Sequence, residues 1–418
     1  MSDLLLKSVY KDNKICDILI TQGKFAKIAD NIDATSLKNT DVVDCNGLAI
    51  LPPFYNAHCH AAMTLLRGYA DDMELNKWLR EYIWPFEAKM TYADIEIGSR
   101  LAVLEMIKSG TVFFADMYWH RQNTMKVVNE MGIRATIGVT IAEGLTTADA
   151  MEANFKFLHD HWGENERIKI SVMPHSVYMV NKELLKRCIE TAREEGYVLN
   201  THLSETLYEN LQCKEKYGCT PAELFERCGI EGVPWVAAHC TNMVDNDYNI
   251  LKRTGATIAL NPCSNLKLAS GIPQIPAMIA KGIPLAIGTD GASSNNNLDM
   301  HEDMKFAALL EKNCPGGSAD TLKAEDILKM ATRNGAVAFG WDAGVIEEGK
   351  LADALLVRLD NERMVPCYNV ISNWVYGADS NAIDSVICNG KFVMRNRHVD
   401  GEEDIVKEAI QCAEKFKR

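Results

Sequence analysis

Between residues 50 and 290 the chain alternates eight times between a short apolar run and an amphipathic stretch. The runs are 50–60, 111–117, 134–141, 168–175, 198–202, 235–239, 257–261 and 284–290. Apolar runs of this length separated by helical patterns mark strand–helix units around a parallel sheet. Eight units suffice to close a (β/α)8 barrel, a fold that gathers its chemistry at the C-terminal ends of the strands. Turn chemistry between the runs agrees. Thr220-Pro221-Ala222-Glu223 supplies an N-cap threonine, a proline at the first helical position and a glutamate at the third, while Thr91 with Asp94 is a weaker version. Gly110, Gly132, Gly196, Gly229 and Gly255 stand where helices would end.

The flanks read differently. Before residue 50, Ile15–Ile20 and Val42–Cys45 are β-rich pieces separated by turn residues. After about residue 345 come Ala354–Val357, Trp374–Tyr376, Ser385–Cys388 and Phe392–Met394, then a helix from Glu402. The expectation is an α/β protein: a (β/α)8 TIM-type barrel over 51–345, with a small β-sandwich built from 1–50 and 346–418. At 418 residues, 47% apolar and 24% charged, the chain can fill such a core.

The strand ends carry the functional signal. Read in order, the predicted runs finish on His58 and His60, then His175, His202, His239 and Asp290, so five of the ten histidines and one aspartate converge on one barrel mouth. Side chains two apart on a strand point the same way, so His58 and His60 aim at one point. A single strand-end histidine is more often a hydrogen-bonding residue than a ligand; several brought together by the fold reverse that expectation. His159 and His161 share the spacing but follow a helical pattern, where residues two apart diverge by about 200°. With His120, His301 and His398 they read as surface residues.

Three imidazoles and a carboxylate, His58, His60, His202 and Asp290, suit one divalent cation per subunit, Zn²⁺ ahead of Fe²⁺ or Mn²⁺. An open position would hold a water of lowered pKa. Asp290 would both touch the metal and accept the water's proton, while His239 orients the water or adds a further ligand; the first role leaves room for the water. Glu205, three residues past His202, is by itself a helix-start glutamate. Beside an activated water it becomes a proton shuttle.

These residues carry a resemblance. The histidine pair of the first strand, those ending strands five and six, and the aspartate ending strand eight are similar to the amidohydrolase superfamily. Within it, His58–Gly68, Trp84–Lys89, Asn261–Leu268 and Gly288–Asn296 resemble the methylthioadenosine/S-adenosylhomocysteine deaminases, and Thr332–Ala336 and Gly349–Asp353 are superfamily-wide signatures. The resemblance implies hydrolytic deamination of an adenine nucleoside (5'-methylthioadenosine, S-adenosylhomocysteine, adenosine or 5'-deoxyadenosine). It makes His58, His60, His202 and Asp290 metal ligands, Glu205 the proton shuttle and His239 the residue polarising water. It assigns Glu87 to the ribose hydroxyls and His175 and Trp78 to the nucleoside pocket; taken alone, Glu87 and Trp78 read as a helix-surface carboxylate and a packing aromatic. One departure stands out: residues 135–155 contain no Arg or Lys, where relatives that take S-adenosylhomocysteine can hold its carboxylate. This favours substrates without one.

Two other readings compete: an aminohydrolase or chlorohydrolase acting on a triazine or guanine, and a non-catalytic barrel that only binds. The second expects lost ligands, yet all are present. The H-x-E and P-C-x-x-C signature of the other zinc deaminases does not occur. A net charge of −13 without a basic run argues against nucleic acid as a partner. No stretch approaches the roughly 20 apolar residues of a membrane span. The first residues carry no export pattern, and thirteen cysteines without a C-x-x-C pair read as reduced thiols, so the expected location is cytoplasmic. The expected partner is a small-molecule nucleoside, and a homo-oligomer stays open.

Overall fold

The computed structural model describes residues 3–161 and 163–417. Its two ends share one eight-stranded sheet. Asp3–Lys11, Lys14–Thr21 and Lys24–Ala29 form an antiparallel meander, Thr40–Asp44 pairs in parallel with the first of them, and Leu48–Leu51 pairs antiparallel with Ala354–Arg358. Ile383–Cys388 and Lys391–Met394 extend that edge. The run 50–60 is therefore two strands in two sheets. Pro52-Pro53 divides it, because proline cannot donate to a ladder. A second difference concerns Trp374–Tyr376, which lies in the helix Val370–Tyr376. Asn369 caps that helix by accepting from Ser372 N, and Trp374 is buried against Phe54 in a stacked pair.

The second sheet is parallel and curled. Phe54–His60, Thr111–Asp116, Arg134–Ile141, Ile168–Pro174, Val198–Leu203, Trp235–His239, Thr257–Leu260 and Leu285–Ile287 pair in sequence order. Asp290–Gly291, only three residues past Ile287, pairs in parallel with Cys59–His60 of the first strand, so the order returns to its start. Gly288 makes the close approach: a Cβ there would stand 2.7 Å from His58 N. Helices lie between the strands, among them Tyr92–Lys108, Lys182–Glu195 and Met300–Asn313. The two capping boxes at Thr91 and Thr220 are both formed. Among the described residues no helix is long and apolar enough to cross a membrane.

Two features fix this framework. Beneath the parallel sheet, Arg134 grips Asp353 through Nε at 2.8 Å and Nη2 at 3.2 Å, with both side chains fully buried. Tyr55 donates to the same carboxylate, and Asn389 N donates to it at 2.6 Å. This buried cluster thus ties the first and third strands of the parallel sheet to the C-terminal segment. Burial would raise the Asp353 carboxyl, but the Arg134 guanidinium holds it below its ordinary value. Above the sheet, residues 61–90 form a cap with its own apolar cluster, including Met63, Leu75, Trp78, Leu79 and Phe86, separate from the main core.

Removing one partner of a buried bidentate pair strands the other charge, at a cost of about 3–5 kcal/mol. Asp353→Ala is therefore expected to lower the urea midpoint strongly, and an unchanged midpoint would mean that the pair holds nothing together.

Candidate metal centre

His58 and His60 end the first strand with both rings buried, and Cys59 between them faces the other way. His202 comes from the fifth strand, His239 ends the sixth, and Asp290 opens the last short strand. The structure brings all five together. Ligand atoms of His58, His60 and Asp290 lie within 4.8 Å of one another, as do those of His58, His202 and His239. Asp290 Oδ1 is 3.0 Å from His60 Nε2 and 3.6 Å from His58 Nε2.

Which ring nitrogens carry protons follows from their partners. His60 Nδ1 donates to Met117 O at 2.6 Å and His202 Nδ1 to His175 O at 2.7 Å, since a carbonyl can only accept. Each neutral ring therefore offers an Nε2 lone pair, and these two atoms face each other at 3.3 Å. Both nitrogens of His58 are buried without any hydrogen-bond partner. Lone pairs aimed at each other in a buried site call for a positive charge between them. Burial lowers His58 to about 4 and His202 well below its ordinary value, which keeps both neutral. Burial also opposes protonation of His60, but Asp290 overrides it and holds that ring up at about 9, so without an ion the positive charge between the two nitrogens is a proton on His60. With that proton displaced, the donor set of neutral imidazoles and one carboxylate fits a divalent cation.

His239 is arranged the other way round. Asn265 Nδ2 lies 2.9 Å from its Nδ1, so the neutral ring keeps its proton on Nε2 and presents a donor to the site. Burial lowers its pKa to about 4. The same Nε2 is 3.9 Å from Glu205 Oε2. Glu205 is buried, and burial together with Asp290 pushes its carboxyl up to about 8. Asp290 is held far below the usual carboxylate range: burial would raise it, but His58 and His60 prevail.

Backbone strain is concentrated here. Ser204, His239, Cys240 and Asp290 adopt left-handed φ of 49°, 72°, 53° and 61°. Such conformations cost about 1–3 kcal/mol each and persist where surrounding contacts fix them.

The remaining expected residues also reach this site. Trp78, buried and donating from Nε1 to Ala70 O at 3.0 Å, lines the metal cavity with His175, Tyr178 and Glu87. His175 is half-buried, and burial lowers its pKa to about 3. Glu87 is half-buried, with Oε1 sheltered and the side chains of Tyr118 and Trp119 beside its carboxyl. A second cavity of about 220 Å³ opens on the far side of Glu87, lined by Trp84, Ala88, Ile95, Trp119, His120 and Leu145. The metal cavity itself is tight, about 50 Å³ beneath the cap.

Sequence reasoning missed the residues that hold the site residues. Ser264 and Ser294 both donate to Asp290 Oδ2, at 2.6 and 2.9 Å, which leaves Oδ1 for the histidines. Ser264 and Asn265 lie within the motif Asn261–Leu268, but only their partners reveal what they do. The histidines expected on the surface divide. His159 and His161 are exposed, yet both meet Glu195, because the helix Ala148–His159 ends between them and the two do not diverge. His301 is buried at 3% exposure, with Nε2 against Trp374 O, and His120 is half-buried.

Residues 49–393 match the amidohydrolase family. The 5'-deoxyadenosine deaminase of Methanosarcina acetivorans is 39% identical, covering 100% of this chain and 99% of its own. The 5-methylthioadenosine/S-adenosylhomocysteine deaminase of Halothermothrix orenii is 40% identical over 91% of this chain and 90% of its own. Among solved structures, an adenosine deaminase from Xanthomonas campestris with bound zinc superposes with a TM-score of 0.93 at 31% identity, covering 99% and 98% of the two chains.

Metal analysis checks the donor assignment. His202→Ala is expected to lose most of the bound ion, whereas His239→Ala keeps it; retention by the first or loss from the second would reverse the two assignments.

Proposed function

The chain belongs to the amidohydrolase family, and we propose that it is a metal-dependent hydrolase that deaminates an adenine nucleoside to its inosine analogue with release of ammonia. The observation that carries this reading is a buried, elevated carboxyl at Glu205 standing beside a cation-ready set of imidazoles. His58, His60, His202 and Asp290 would hold one ion, which we take to be Zn²⁺ on the donor chemistry and the zinc of the Xanthomonas campestris structure. When bound, the ion supplies Lewis acidity that makes a water nucleophilic at neutral pH.

The chain's own groups supply the proton movements. At neutral pH Glu205 carries a proton, which it donates to the ring nitrogen adjacent to the purine carbon bearing the amine. Water adds to that carbon, Asp290 takes one of its protons and passes it to the amine, which leaves as ammonia, and the second water proton returns to Glu205 as the ring carbonyl forms. Asp290 is suited to this because the serine hydroxyls fix Oδ2 and orient Oδ1 into the site. His239 donates from Nε2 toward the developing oxyanion. Glu87 accepts from the ribose hydroxyls; its place in the lining of both cavities supports that role. His175 and Trp78 form the walls around the base.

The second cavity bears on the substrate. It adjoins Glu87, where the sugar would lie, and no Lys, Arg or carboxylate besides Glu87 lines it. A 5' substituent entering it meets aromatic and aliphatic surface. This supports 5'-methylthioadenosine, 5'-deoxyadenosine or adenosine over S-adenosylhomocysteine, whose carboxylate would be left without a counter-charge. Pockets for ligands of this size measure about 300–1,000 Å³, so the cap over residues 61–90 has to lift to admit any of them. We take residues 51–345 as the catalytic barrel, of (β/α)8 type, and 1–50 with 346–418 as the smaller β-sandwich module.

A spectrophotometric panel of metal-loaded protein with methylthioadenosine, 5'-deoxyadenosine, adenosine, S-adenosylhomocysteine, guanine and a chlorotriazine tests the reading. Turnover is expected for the first three. No activity on any adenine nucleoside would sink it, while a preference for S-adenosylhomocysteine would remove only the argument from the second cavity. Glu205→Gln is expected to keep its metal and lose about 10²- to 10⁴-fold in kcat; full activity would take the proton-donor role from Glu205.

A further inference from the structure

Glu209 is a buried carboxylate that the proposed chemistry does not use. It stands third in the helix Leu207–Tyr217, whose N-cap Thr206 accepts from Glu209 N at 3.2 Å. An acid in that position ordinarily reaches back to the amide of the capping residue. In this chain Asp94 does so to Thr91 N and Glu223 to Thr220 N. Glu209 reaches one residue further: Oε2 accepts from Glu205 N at 2.9 Å, with the Ser204 amide also turned toward the carboxyl. Burying a carboxyl costs stability, and a helix start needs nothing beyond what Thr206 supplies.

The peptide that Glu209 holds is the one that carries the proposed proton donor. Ser204, just before it, has a left-handed φ of 49°, so the chain turns sharply into Glu205. The carbonyl of Glu205 is held as well, accepting from Thr241 Oγ1 at 2.6 Å and Asn242 Nδ2 at 2.9 Å. With both backbone groups of Glu205 pinned, its side chain leaves the turn in one direction, toward His239 and Ser270. We propose that Glu209 is a positioning residue for the reaction: its carboxyl clamps the Glu205 peptide and so sets where the Glu205 side chain meets the substrate ring. This rests on the reading of Glu205 as the proton donor. Burial, with Glu205 adding to it, pushes the Glu209 carboxyl up to about 8, so at neutral pH the clamp is largely a neutral acid. Glutamine keeps that shape and the accepting oxygen.

The test compares two backgrounds, with metal content and thermal midpoint measured for every protein. In the otherwise native enzyme, Glu209→Ala is expected to lower kcat about tenfold to hundredfold, as a misplaced catalytic group does, with KM and bound metal little changed. Glu209→Gln should restore most of that loss. In the Glu205→Gln background the same Glu209→Ala change should cost almost nothing further, because the group it positions is already gone. Equal losses in both backgrounds, or a loss that follows the metal, would show a merely structural residue and overturn the proposal. If Glu209→Ala does not fold, Glu209→Met, which keeps the volume and removes the acceptor, makes the same comparison. Full activity of Glu205→Gln alone would instead fail the reading of Glu205, an outcome distinct from any result at Glu209.

Discussion

His60 and His202 face each other through ring nitrogens 3.3 Å apart, deep in the mouth of a parallel sheet. Neither can turn a proton inward while neutral, because each has committed its Nδ1 proton to a backbone carbonyl, Met117 O and His175 O. Those carbonyls lie just past the ends of neighbouring strands. The register of the sheet therefore decides the tautomer of the ligands, and the tautomers decide that the site needs a positive charge. A one-residue slip would turn His58 and His60 away from the mouth and leave Cys59 in their place. The strained backbone at His239 and Asp290 belongs to the same constraint, since His239 leaves its strand and Asp290 enters its own at angles that an unforced chain would avoid.

Around that centre, residues of the loops after strands five to eight orient the groups at the site. Two serines hold one oxygen of Asp290, an asparagine reverses the tautomer of His239, and Thr241, Asn242 and Glu209 pin the peptide of Glu205. Histidines of one cluster thereby fall into two kinds, His60 and His202 with Nδ1 on a carbonyl and Nε2 toward the site, and His239 with the reverse arrangement. Imidazole is suited to such a division because its two nitrogens respond to different neighbours.

The strand ends were legible in the sequence because a parallel sheet repeats one local pattern, and a residue at the end of each repeat must arrive at the same rim. His58, His60, His202, His239 and Asp290 could be read that way. Ser264, Ser294 and Asn265 could not, since a hydroxyl or amide in a loop shows its purpose only once its partner is known. Local pattern also misled where tertiary packing decides. Trp374–Tyr376 is apolar and aromatic enough for a strand, yet Asn369 starts a helix there. His301 follows a polar stretch but turns inward against Phe54 and Trp374. His159 and His161 were judged by the geometry of a helix that stops at His159.

The claim on which the account turns is that water, handled by this set of side chains, replaces an exocyclic amine on a purine. The most direct measurement is turnover of 5'-methylthioadenosine by the metal-loaded protein in heavy-oxygen water, with product mass and ammonia followed together. Hydrolytic deamination requires the product ring to carry the heavy oxygen and one ammonia to appear for each product formed. Unlabelled product, or product without ammonia, would contradict it.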